Sequence, residues 1–143
     1  MDRTPQQIGR ANRRAGTANQ LQFAAWLREK IWPYAEMQHR NGTGDITATW
    51  DINVETTIAG WDQIWIKLEQ SAHDARRRGL SLYCVVKKRQ GKHDPGESAV
   101  LMPAKIFFPM VAELEKRQRQ EADAELAYEK GYAAGYRAGE QGE

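Results

Sequence analysis

Two carboxylates, Asp45 and Glu55, stand on either side of a short segment whose residues favour β-structure. The run Asp45-Ile46-Thr47-Ala48-Thr49-Trp50, then Asp51, then Ile52-Asn53-Val54-Glu55-Thr56-Thr57-Ile58 is rich in β-branched residues and alternates in part, which predicts a β-hairpin. A hairpin sets the two acids on adjacent strands. Carboxylates brought close together repel unless a cation sits between them, and hard oxygen ligands of this kind suit Mg²⁺ or Mn²⁺. An ion held there could activate water and stabilise the charge that develops on a phosphodiester.

Other chemistries find less support. The chain has no phosphate loop of the form G-x-x-x-x-G-K-S/T. His39, His73 and His93 are widely spaced, and none pairs with a second histidine at helical zinc spacing. Ser71, Ser81 and Ser98 lie in no nucleophile-elbow context. The single cysteine excludes an internal disulfide and a Cys-based zinc site, and its neighbours in Leu82-Tyr83-Cys84-Val85-Val86 predict a buried thiol in a reducing, cytoplasmic compartment.

The elements that must position these residues follow from hydrophobic spacing. The 143 residues are 41% hydrophobic and 28% charged with a mean hydropathy of −0.76, which predicts one soluble domain with a polar appendage. No run approaches the roughly 20 apolar residues that span a bilayer, and the N-terminal residues are polar and basic, so neither membrane insertion nor secretion is expected. Residues 1–15 are expected to form a basic arm, residues 16–114 an α/β domain, and residues 115–143 a charged tail, helical or disordered. Phe23, Ala24, Leu27 and Ile31 recur at three- and four-residue spacing, with Thr17 as N-cap and Gln20 three residues on. A second helix is expected from Trp61, Ile64, Trp65, Leu68, Ala72 and Ala75 up to Arg78, with Gly79 as its stop. Leu80 to Lys87 and Ala99 to Met102 read as strands, and a further helix begins at Lys105. The order predicts a mixed central β-sheet flanked by helices. On these spacings Trp26, Trp61 and Trp65 are expected in the core, and Trp32 and Trp50 are the candidates for exposure.

The net charge of +2 conceals an uneven distribution: +4 over residues 1–30, +1 over 31–111 and −3 over 112–143. Any nucleic-acid contact must therefore rely on local patches, and two are available, Arg10, Arg13 and Arg14, and Lys87, Lys88, Arg89 and Lys92. In the tail, Gly131, Gly135 and Gly139 recur every four residues beside Tyr132 and Tyr136, a spacing that could let two helices approach closely.

Several short motifs occur in a telling order: Asn12-Arg13-Arg14-Ala15-Gly16-Thr17, a helix, Asn41-Gly42-Thr43-Gly44-Asp45-Ile46, Val54-Glu55-Thr56-Thr57, and Leu68-Glu69-Gln70-Ser71-Ala72-His73-Asp74-Ala75 before the Val85-Val86-Lys87 strand. Over about residues 10–110 this resembles the PD-(D/E)XK nuclease superfamily, in particular its Holliday-junction-resolvase-like and phage-encoded branches. The resemblance implies a restriction-endonuclease-like core and a structure-selective, Mg²⁺-dependent (or Mn²⁺-dependent) DNA endonuclease. It also implies branched DNA as partner, a homodimer, and a bacterial or phage-infected host cytoplasm. Carried over by position, it assigns Asp45 and Glu55 to the metal and, together with them, Gln20, Thr57 and Gln70 to the catalytic site, with Arg13, Arg14, Lys87 and Lys88 on phosphates. The chain departs from the family pattern twice: Gln20 stands where the family has Glu, and Thr57 where it has Lys. Gln can offer a carbonyl oxygen to a metal but no charge, and Thr cannot act as the cation that orients water. Glu36 or Glu29 could replace the acid, and Lys67 or Lys87 the lysine. If neither is replaced, the alternative is a degenerate nuclease fold that binds DNA or protein without cleaving.

Overall fold

The computed structural model describes residues 2–38 and 46–141; the Asn41–Asp45 turn and His39 lie outside them. The chain divides into two compact units, Met1–Pro103 and Ala104–Glu143. Among the described residues no helix is long and apolar enough to cross a membrane.

The first unit is α/β, as the spacing predicts. Helix α1 spans Pro5–Lys30 and starts well before Thr17, so the expected N-terminal arm is helical from Pro5 onward. The reason is local. Thr4 forms a capping box, its hydroxyl accepting from the Gln7 amide while the Gln7 side chain accepts from the Thr4 amide, and Pro5 suits the first helical position. A polar first half shows no apolar period because little of it is buried; the buried face, Asn19, Phe23, Ala24 and Leu27, lies in the second half. Ile31, expected on that stripe, is the exposed C-cap.

A five-stranded sheet follows, in the order β1 (Glu36–Met37), β2 (Ile46–Thr47), β3 (Ile52–Thr57), β4 (Leu82–Lys87), β5 (Ala99–Leu101). Strands β2 and β3 form the expected antiparallel hairpin, with Ile46 opposite Val54. Its tip places Ala48 and Trp50 in the left-handed region at φ of 58° and 59°, and buried Thr49 between them donates its hydroxyl to the Ile52 carbonyl at 2.8 Å. Strands β3 and β4 run parallel because helix α2 (Ile64–Arg78) crosses between them; Gly79 ends it at φ 69°. Strand β5 pairs antiparallel with β4 and completes a mixed sheet.

Each face of the sheet has its own core. Ile46, Val54, Cys84 and Val86 pack with Phe23, Ala24 and Leu27 of α1. On the opposite face Val85 packs with Ile64 and Leu68 of α2. Strand β3 is therefore covered on both sides, and Asn53, Glu55 and Thr57 share the α2 face as the strand's two-residue period requires.

The second unit is one helix, α3 (Ala104–Gln141), so the domain and tail that the sequence separates at residue 114 share a single element. Pro109 lies inside it and lacks the N–H that would close one helical hydrogen bond. Exposed Glu113–Arg117 and Glu115–Arg119 pairs at four-residue spacing support its middle.

Candidate functional site

In open α/β sheets, ligand sites form beyond the carboxyl ends of parallel strands, where side chains from strand ends and crossover helices converge. The parallel pair here is β3–β4, and a cleft of about 500 Å³ opens at the end of β3. Its walls bring together Gln20 and Arg13 from α1, Glu55 and Thr57 from β3, and Lys67 from α2. The order of motifs points to four of these five for catalysis or phosphate contact, and Lys67 is one of the two candidate lysines.

Burial in the cleft is unusual for its chemistry. Glu55 is 8% exposed, with its Oε2 fully enclosed, and Asn19, Thr56 and Thr57 are also buried. Enclosing a carboxylate costs several kcal/mol, roughly, unless hydrogen bonds or cations compensate. Lys67 and Arg13 are the cations in the lining. Asn12, Asn19 and Thr56 line the cleft too and were missed in the sequence. The available clue was a strand buried on both faces that nonetheless carries Asn53, Glu55, Thr56 and Thr57.

Thr57 has a defined local use. Its hydroxyl accepts from the Ala59 amide at 3.0 Å and turns the chain at the end of β3. Lys87 is its register partner on β4, and Lys87 Nζ donates to the Ala59 carbonyl at 2.8 Å while lying 5.2 Å from the centre of the Trp61 ring. Lys87 thus lines a second depression, not the cleft. The two candidate acids are absent from the cleft lining as well: Glu29 is exposed beside Lys30, and Glu36 is exposed on β1.

Gln70 is exposed on α2 and lines a separate depression with Glu55, Glu69, His73 and Asp74, so Glu55 is reached from two sides while Gln20 and Gln70 are not brought into one cavity. Arg14 is exposed on α1 and is not part of the cleft lining. Lys88 lines the second depression with Lys87. Asp45 lies outside the described residues; its chain neighbour Ile46 pairs with Val54, the residue before Glu55. Among the described residues no group of three or more His, Cys, Asp and Glu side chains could hold a metal ion.

The tryptophans correct the sequence reading. Trp61 and Trp65 are exposed, whereas Trp32 is half-buried against the core. Trp61 lies in a 3₁₀ turn, Trp61–Gln63, ahead of α2, so the helical period does not reach it. Trp65 is next to buried Ile64 and falls off the stripe formed by Ile64, Leu68, Ser71 and Ala75. Trp26 is half-buried and stacks on Phe23, and Trp50 is exposed at the hairpin tip.

Behind the cleft, a buried network locks β3 to α2. Asn53 donates to the Ser71 hydroxyl at 2.9 Å, Ser71 donates to the Cys84 carbonyl at 2.9 Å, and Arg78 donates to the Asn53 side-chain oxygen at 2.8 Å. Burial pulls the Arg78 guanidinium down from its ordinary value, with Asp74 opposing that shift. Burial likewise pushes the Cys84 thiol up to about 12, which makes it inert as a nucleophile near neutral pH. Asp51 is held below the usual carboxylate value because the Ser81 amide donates to it at 2.9 Å.

Compared with known proteins, the chain matches no family model, no curated protein and no solved structure.

Proposed function

We propose that the protein is a metal-dependent, structure-selective DNA endonuclease similar to Holliday junction resolvases. The observation that carries this reading is the convergence of Gln20, Arg13, Glu55, Thr57 and Lys67 in one cleft at the end of β3. These residues come from three elements far apart in sequence, and the resemblance to the nuclease superfamily points to four of them, with Lys67 as one of two candidates for the missing lysine.

A hard cation takes oxygen donors, and Glu55, the amide oxygen of Gln20 and Asp45 are donors of that class. Mg²⁺ bound by them would polarise the phosphodiester and lower the pKa of water. Arg13 lines the same cleft and would hold a phosphate oxygen through charge-assisted hydrogen bonds. Lys67 supplies the positive charge that Thr57 lacks, next to the charge building up on the scissile phosphate. A four-way junction has two-fold symmetry, so the working form under this reading is a homodimer.

The test is nicking of a branched DNA substrate with Mg²⁺, alongside Mn²⁺ titration calorimetry on the same samples. Wild type is expected to bind Mn²⁺ and nick the junction, EDTA to stop nicking, and Glu55→Gln and Asp45→Ala each to abolish both. Junction cleavage by either variant at the wild-type rate would sink the assignment. The threonine at position 57 favours a second reading, a degenerate nuclease fold that binds DNA; DNA binding indifferent to Mg²⁺, with no cleavage of any substrate, would establish it instead.

A further inference from the structure

From the carboxyl end of β4 onward, Lys87-Lys88-Arg89-Gln90-Gly91 line a groove of about 990 Å³ together with Gly60, Trp61 and Glu97. Ile58 lines both this groove and the Glu55 cleft, so the two depressions meet at that residue. The groove combines two features that single-stranded nucleic acid requires. The first is an open aromatic platform: Trp61 is 61% exposed even though the Lys87 ammonium lies over its ring. A base presents a π-face to such a ring whatever its sequence. The second is unspent positive charge. Lys88 makes none of the ion pairs seen among the described residues, and Arg89 makes only an exposed one, to Glu97 at 3.5 Å. Such a pair is worth about 1 kcal/mol or less and yields readily to a phosphate.

Lys87 has a different part. Its ammonium is fixed by the Ala59 carbonyl and sits against the indole, so it holds the platform and adds positive potential. Duplex DNA keeps its bases stacked inside and has no use for an exposed indole in a groove, whereas a strand opened at a branch point offers unpaired bases. Chemistry therefore favours an unpaired strand over a duplex.

We propose that the groove bounded by Trp61, Lys88 and Arg89 seats an unpaired DNA strand, one base stacked on Trp61 and its phosphates on Lys88 and Arg89, and leads that strand past Ile58 to the cleft at Glu55. This deepens the nuclease reading and rests on it for the strand's destination. It makes bases that open at a branch point, and not the paired arms of the junction, what the groove engages.

The experiment is fluorescence anisotropy of a labelled oligo(dT) of about 12 nucleotides, within the usual span of such grooves, in EDTA so that no strand is cut. Trp61→Ala is expected to weaken binding about 5- to 140-fold, the range that stacking supports, and Trp61→Phe to restore most of the loss. On an abasic strand of the same length, Trp61→Ala is expected to have no effect. Replacing both Lys88 and Arg89 by Gln should lower the slope of log affinity against log salt by about 1.4, from two released contacts. Oligo(dT) affinity within twofold of wild type in Trp61→Ala, or an equal loss on the abasic strand, would overturn the proposal. The same preparations are then given junction DNA and Mg²⁺. Cleavage without Trp61-dependent strand binding would defeat this inference alone, whereas Trp61-dependent binding in a protein that cleaves nothing would defeat the nuclease reading and leave the groove.

Discussion

Lys67 and Lys87 both offer the positive charge that Thr57 cannot, and their surroundings separate them. Lys87 is already engaged by the Ala59 carbonyl and the Trp61 ring, and it faces the groove. Lys67 lines the same cleft as Glu55. Under the nuclease reading, Lys67→Met lowers single-turnover cleavage about 10²- to 10³-fold, the usual cost of losing one transition-state donor, with a smaller change in DNA affinity. Lys87→Met should instead weaken strand binding and leave the rate of the bound complex close to wild type. Single-turnover rates at saturating protein distinguish the two, and equal rate losses would contradict the assignment. Much of the cleft was legible at this scale because Glu55, Gln20 and Arg13 occur in an ordered set of short motifs. Lys67 was legible only as one of two options, since sequence spacing does not say which wall a helical lysine lines. Asn19 and Thr56 were not legible: a polar residue in a helix or strand reads as solvated unless its burial is known.

Strand β3 and helix α2 hold the cleft through apolar packing and the buried Asn53–Ser71–Arg78 network. Asn53 and Ser71 are wholly enclosed. Ser71→Ala removes the acceptor for the Asn53 amide and the donor to the Cys84 carbonyl, and the cost of stranding such groups is about 1–3 kcal/mol. Urea unfolding followed by tryptophan fluorescence should show that loss as a lower midpoint with an unchanged slope; a change under about 0.5 kcal/mol, typical of surface substitutions, would mean the network contributes little. The elements themselves were largely readable. Turn chemistry and period mark the hairpin, the β4 and β5 runs and the Gly79 stop, because each is a local rule acting on a few residues. The start of α1 was misplaced by the same logic applied at Thr17-x-x-Gln20 when an equivalent box stood at Thr4-x-x-Gln7. Capping motifs state where a helix can start, and they leave open which of two candidates the chain uses. Trp61 failed for a related reason, since a 3₁₀ turn before a helix shares its sequence neighbourhood but not its period.

At the scale of the whole molecule, the buried apolar core among the described residues lies within Met1–Pro103, as do all five tryptophans. Helix α3 is long and exposed along almost all its length, the apolar Phe107, Phe108, Val111 and Leu114 near its start included; its exposed ion pairs are worth a few tenths of a kcal/mol each, roughly, and its glycines at 131, 135 and 139 have open space where a side chain would stand. The first unit should therefore fold without it. Removing residues 104–143 is expected to leave the urea midpoint of tryptophan fluorescence nearly unchanged while far-UV circular dichroism loses a large helical component. A collapse of the fluorescence transition would show instead that α3 stabilises the core. The same deletion removes a net charge of −2 and leaves residues 1–103 at +4. Long-range repulsion between the acidic helix and a polyanion would vanish with it, so DNA association at low salt should become faster, and the difference should fade as salt shortens the Debye length toward about 8 Å. Stopped-flow association at two ionic strengths reads this directly. Slower association after the deletion would mean that α3 takes part in DNA capture, and loss of dimers on the same deletion would place subunit contact on α3, where the four-residue glycine repeat lies.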